Sequence, residues 1–197
     1  MPPQHGADLN SRAQEQGLRA ERLPETIHRD SYTPALLGLL NNVLVWGGSR
    51  LWHALHGVGT NEWRIISALG NHPGSTASAL CDVLGINKSI ASKSVNLLID
   101  RGLIAQLGGK RGARHLYLTD EGVRVHDEIL PVALERQRIL QSDLSPDEIE
   151  TLNALLVRMV DNGEALQDYE RSLIESSGAG ASGTATTRKG AKAAPEG

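Results

Sequence analysis

The sequence predicts a mainly α-helical fold carrying one small β-hairpin. Three observations point there. Apolar residues recur at helical spacing through most of residues 33–173. Gly, Asn, Ser and Pro punctuate that stretch at helix-length intervals. Only between 103 and 118 does the period shorten to that of a strand, on either side of Gly108-Gly109-Lys110-Arg111-Gly112.

The elements follow in order. Residues 1–32 are polar without a sustained period and read as an extension, flexible or partly helical. Thr33-Pro34 starts a first helix, Thr as cap and Pro at the first helical position. Its leucines, from Leu36 to Leu55, face more than one way, which suits burial against a partner subunit. GTNEW opens a second helix, with Thr60 as cap and Trp63, Ile66 and Leu69 on its core side. NHPG at 71–74 is a turn. Ser75-Thr76 caps a short third helix that Gly85 ends. Asn87 caps a fourth, which Gly102 ends. Residues 103–107 and 115–118 form the two strands. Thr119-Asp120-Glu121 caps a long helix, bent at Pro131. Ser145-Pro146-Asp147-Glu148 starts the last helix, which runs to about Leu173. The remainder, 174–197, has the composition of a disordered tail.

Two short helices closed by a hairpin make a winged helix-turn-helix, here residues 60–119. The helix regions 33–56 and 122–173 flank it, and 33–173 together read as one domain.

Bulk composition narrows the function classes. The 197 residues, 40% of them hydrophobic, suffice for a packed core. No apolar run reaches the roughly 18 residues of a membrane helix. Ala35–Leu55 comes nearest and is broken by Asn41, Asn42, Gly47, Gly48 and Arg50. MPPQHGADLN has no basic region followed by an apolar one, so no secretory signal is expected. One cysteine excludes an intrachain disulfide and suits the cytoplasm. No Ser/His/Asp order, phosphate-binding glycine loop or HExxH appears, so neither an enzyme nor a cofactor is expected.

Net charge is −3, yet residues 87–115 carry a local net of +5. The fourth helix shows Lys88, Ser89, Ser92, Lys93 and Asn96 on one face, with no acid before Asp100. An ordinary solvated face would mix Glu with Lys. Ser and Asn hydrogen-bond to phosphates and base edges, and Lys neutralises phosphate, so this face reads as meeting duplex DNA in the major groove. Lys110, Arg111 and Arg114 in the hairpin replace the Asn-Gly chemistry of a plain turn and read as phosphate or minor-groove contacts.

NEWRIISAL, HPGSTASALCDVLGINKSIASKSVNLLIDRGLI, LYLTDEG and LSPDEIETL together resemble the MarR family of bacterial transcriptional regulators, over about Ala35 to Gln167. The resemblance implies a homodimer built from the first and last two helices. It implies binding to near-palindromic DNA, usually as a repressor, and release by a small phenolic or aromatic effector. It places Ser89, Ser92, Lys93 and Asn96 on the recognition helix and Arg111 and Arg114 on the wing. Two departures stand out. Gly108-Gly109-Lys110 replaces the family's Asp before the wing Arg, and Lys93 stands where Arg is common. Lysine lacks the guanidinium fork that pairs with guanine.

Other residues carry competing readings. Trp46, Ser49, Arg50, His53 and Trp63 suit a pocket for an aromatic acid, with Arg50 pairing the carboxylate. The same tryptophans suit core and interface packing. Cys81 reads as a buried thiol of the helix-turn-helix core, against the alternative of a redox sensor. His53, His56, His115 and His126 lack a convincing third ligand, so no metal is expected. Arg188, Lys189 and Lys192 in the tail would add non-specific DNA affinity. A dimeric scaffold using the winged helix for protein contacts is the alternative to DNA binding.

Overall fold

The computed structural model describes residues 4–109 and 112–181. Lys110, Arg111 and the three tail cations lie outside them. The chain divides into two compact units, Met1–Val132 and Ala133–Gly197. Eight α-helices, one short 3-10 turn at Arg29–Ser31 and one hairpin are seen among the described residues. They run α1 Gln4–Glu15, α2 Thr33–His56, α3 Thr60–Asn71, α4 Ala77–Leu84, α5 Lys88–Asp100, β1 Ile104–Gly108, β2 Arg114–Leu118, α6 Asp120–Leu140, α7 Pro146–Asp161 and α8 Gly163–Ala181.

The N-terminal extension, read as flexible or partly helical, contains a helix, α1. Three expectations shift. Thr33 does not cap α2: Tyr32 precedes the helix in extended conformation and Pro34 falls within the first two helical positions. Gly59, not Thr60, stands before α3, and the Thr60 hydroxyl instead donates to the Val45 carbonyl at 3.2 Å. The last helical region breaks at Asn162 into α7 and α8, and α8 continues eight residues past Leu173. Pro131 lies inside α6, which continues to Leu140.

Other signals act as read. Thr76 Oγ accepts from the Ala79 N–H at 3.2 Å, and Asn87 Oδ1 from the Ile90 N–H at 2.8 Å. Gly85, just past α4, takes a left-handed conformation with φ 61°. Ser145 and Glu148 form a capping box on α7, with the Ser145 N–H donating to the Glu148 carboxylate at 2.8 Å. That hydrogen bond, with one from the Ser145 hydroxyl, holds the Glu148 carboxyl below the ordinary carboxylate value.

The core of the first unit lies where α3, α4 and α5 meet the hairpin. Ile65, Ile66 and Leu69 of α3 are buried with Leu80 of α4 and Val95 and Leu98 of α5. Leu116 of β2 and Val125 and Ile129 of α6 are buried as well, as is Trp52 of α2. Trp52 and Trp63 lie 6.0 Å apart between ring centroids, and Trp63 and His126 lie 5.7 Å apart. Many apolar side chains stay exposed in the single chain, among them Leu39, Val43 and Trp46 on α2. In the second unit, Leu155 and Val160 of α7 and Ile174 of α8 do the same.

The hairpin joins α6 at a tight contact. Thr119 Oγ donates to the Gly102 carbonyl at 2.7 Å and accepts from the Gly122 N–H at 3.0 Å, so it caps α6 while holding the chain leading into β1. Any Cβ on Gly122 would overlap the Leu103 carbonyl. Gly122→Ala should therefore destabilise the protein by about 1–3 kcal/mol. Gly38→Ala, in open space on α2, should change stability by no more than about 1 kcal/mol. Thermal unfolding of both variants tests the contrast. On α7, the lowered Glu148 carboxyl stabilises the folded state fully at neutral pH. That contribution fades as pH falls below the ordinary carboxylate range. Hydrogen exchange at the start of α7 should quicken on acidification, and Glu148→Gln should abolish that pH step.

Candidate nucleic-acid interface

Helix α5 has two faces because its small and apolar residues repeat every three to four positions. Ala91, Ser94, Val95 and Leu98 are buried. Lys88, Ser89, Ser92, Lys93 and Asn96, the residues expected to face DNA, are all exposed. No acid precedes Asp100 on that helix.

Ser94 is a buried hydroxyl among apolar neighbours, and its partner explains it. It donates to the Glu62 carboxylate in a short hydrogen bond. The other carboxylate oxygen of Glu62 accepts from the Gly59 N–H at 2.9 Å. One side chain thus ends α3 properly and holds the middle of α5. Arg64 of α3 donates to the Leu84 carbonyl at the end of α4, just before the turn into α5. Three helices are therefore fixed by side chains of α3.

The hairpin is antiparallel, with Ile104 opposite Leu118 and Gly108 opposite Arg114. Both strands sit within one residue of the stretches expected from sequence. A third segment, not foreseen, lies along β2. The Gly74 N–H donates to the Leu116 carbonyl at 2.9 Å, and the Leu116 N–H to the Ser75 carbonyl at 3.0 Å. His115 Nδ1 donates to the Gly74 carbonyl at 2.8 Å, which fixes that tautomer because a carbonyl only accepts. This pairing anchors the wing to the chain entering α4.

A groove of about 400 Å³ opens between α4, α5 and the hairpin. Lys88, Ser92 and Asn96 of α5 line it together with Arg114 of β2. Ser89 and Lys93 are exposed on the same helix outside that groove. Ser78 and Gln106 also line it and were not foreseen. Gln106 pairs with Leu116, so it shares a face with Arg114 two residues earlier, and Arg114 Nη1 lies 3.5 Å from its side-chain oxygen. The register was the missing signal. Cys81 corrects an expectation: it is half-buried and lines this groove, outside the helix-turn-helix core.

Arg101 also departs from its expected place in the basic segment. Its guanidinium turns to α2, donating to the Gly57 carbonyl at 2.5 Å and the His56 carbonyl at 2.8 Å.

The five residues read as an effector pocket are spread out in the single chain. Trp46, Arg50 and His53 are exposed on α2, and Ser49 is half-buried near Gly59. Trp63 packs on Trp52 and His126 and lines a shallow groove between α3 and α4. Of the histidines, His56 lies 3.4 Å from Glu128, and His126 lies 2.8 Å from Asp127.

Ser94→Ala leaves one Glu62 oxygen without its donor in a half-buried site. It should lower the free energy of unfolding by about 1–3 kcal/mol, measured by urea titration. A loss near zero would show that the bond does not hold α5.

Known proteins resemble this arrangement. The family model described as MarR family matches residues 56–115. The HTH-type transcriptional regulator PetP of Rhodobacter capsulatus is 30% identical over 108 residues, which is 54% of this chain. The match spans 65% of that relative's length, short of the whole protein. A MarR/EmrR family transcriptional regulator from Acinetobacter sp. ADP1 superimposes with a TM-score of 0.66 at 27% identity, over 71% of this chain and 99% of that one. The PcaV regulator of Streptomyces coelicolor, solved with its natural ligand, superimposes with a TM-score of 0.60 at 22% identity, over 71% and 99%. At that identity it speaks for the fold alone.

Proposed function

We propose that the chain is a DNA-binding transcriptional regulator of the MarR family, acting as a homodimer. One observation carries the reading: Lys88, Ser92, Asn96 and Arg114 converge on one groove from helix and wing, and no carboxylate lines it. The start of α5 adds unpaired backbone N–H groups, which attract phosphate. Lys88, Lys93 and Arg114 neutralise backbone charge, joined by Lys110 and Arg111 of the wing. Ser89, Ser92 and Asn96 supply the hydrogen bonds that reach base edges.

The exposed apolar side chains of α2, α7 and α8 support the dimer, since such surface is usually covered by a partner. Two copies related by a two-fold axis put two α5 helices about 34 Å apart, one turn of DNA, so the operator is near-palindromic. Gating by a small aromatic acid completes the reading. Trp46, Ser49, Arg50 and His53 stand on α2 and Trp63 on α3, and the ligand favours the dimer whose half-site spacing no longer fits. Repression relieved by the effector is the regulatory sense we propose.

A titration against the protein's own upstream intergenic region, at several salt concentrations, tests this. With three described cations per protomer on phosphates, log K should fall against log salt with a slope of about −5 or steeper. Lys93→Ala should flatten the slope by about 1 per neutralised phosphate. Repeating the titration with a panel of aromatic acids tests the gating. Salt-independent or absent binding would favour the protein-contact scaffold instead.

A further inference from the structure

Arg101 is a cation in the basic segment, one residue past the end of α5, and charge alone would assign it to phosphate. Its geometry says otherwise. Both terminal nitrogens donate to backbone carbonyls at the end of α2, Nη1 to Gly57 and Nη2 to His56. Those carbonyls have no partner inside their own helix. The α2 C-terminus carries partial negative charge, which a guanidinium satisfies well. The fork geometry is specific to Arg, because a lysine ammonium does not span two successive carbonyls in this way.

Gly57 gives a second, independent sign that the contact is built. It ends α2 with φ 64°, and a Cβ there would stand 3.1 Å from Nη1 and 3.2 Å from Nη2. The backbone therefore leaves room for the guanidinium at the one position where a side chain would crowd it.

We propose that Arg101 is a positioning residue for DNA recognition. It sets the direction of α5 by tying its C-terminal end to the end of α2, and it makes no phosphate contact. With the Glu62–Ser94 bond, it gives α5 two fixed points against the segment 56–62. A helix held at two points presents Lys88, Ser92 and Asn96 in one orientation. A helix held at one point can swing. The inference rests on the reading of α5 as the DNA-contacting helix.

The experiment is the salt-dependent DNA titration made with full-length Arg101→Lys, Arg101→Ala and Gly57→Ala, below each variant's unfolding temperature. The positioning role predicts that Arg101→Lys loses about tenfold in affinity although its charge is kept. It predicts a salt slope equal to the parent's for all three variants. Gly57→Ala, which changes no charge, should show the same loss. If Arg101→Ala does not fold, Arg101→Lys and Gly57→Ala decide the matter alone. Parent-like affinity in Arg101→Lys, or a slope flattened by about 1 in Arg101→Ala, would assign the residue to phosphate and overturn the proposal. Absence of specific binding by the parent protein would instead sink the DNA-binding reading itself.

Discussion

Glu62 carries a single carboxylate between the Gly59 N–H and the buried Ser94 hydroxyl. Much of the winged helix depends on that link. The N–H groups at the start of α3 need an acceptor, and Glu62 supplies one from the third position of the helix. The hydroxyl inside the core needs an acceptor as well, and the same side chain provides it. The α2–α3 junction and α5 therefore hold each other in place. Arg64 extends the scheme to α4, and Thr60 extends it to α2 through Val45. Apolar burial supplies the driving force, but these directional bonds fix the angles at which the helices settle.

Charge is sorted along the chain to match. The segment around α5 and the wing is basic, while α6 and α7 are rich in acids. On α6, Arg124 donates to Glu121 and Glu128, so its charge is used locally. The hydrogen bond from Arg124 holds the Glu121 carboxyl below its ordinary value. An overall charge of −3 thus coexists with a cationic face.

The parts of this fold set by near neighbours were legible in the sequence. Asn87 and Ser145 announce their helices because the capping bond closes within three residues. The amphipathic split of α5 was readable for the same reason, since its faces follow from spacing alone. What depended on distant partners was not. Thr60 looked like a cap and is a tether, because Val45, fifteen residues earlier, accepts its hydroxyl proton. Ser94 could not be recognised as buried without Glu62. Gln106 joined the groove only once the strand register set it beside Arg114. Cys81 sits on the open side of α4, a direction that a single short helix with apolar neighbours does not declare. Arg101 added to the local charge of residues 87–115, but its carbonyl acceptors on His56 and Gly57 lie more than forty residues earlier and are not visible in sequence.

The length of α5 gives the two-point attachment a mechanical meaning. Thirteen residues at 1.5 Å each make a rod of about 20 Å. Its C-terminal end is pinned at α2, and its free end carries Lys88 and Ser89. A tilt of about 5° about the pin carries that tip nearly 2 Å, far beyond the few tenths of an ångström a hydrogen bond tolerates. The second attachment, the buried Ser94 on Glu62, sits near the middle of the rod and opposes any such tilt, so the tip of α5 swings only if that core bond gives way.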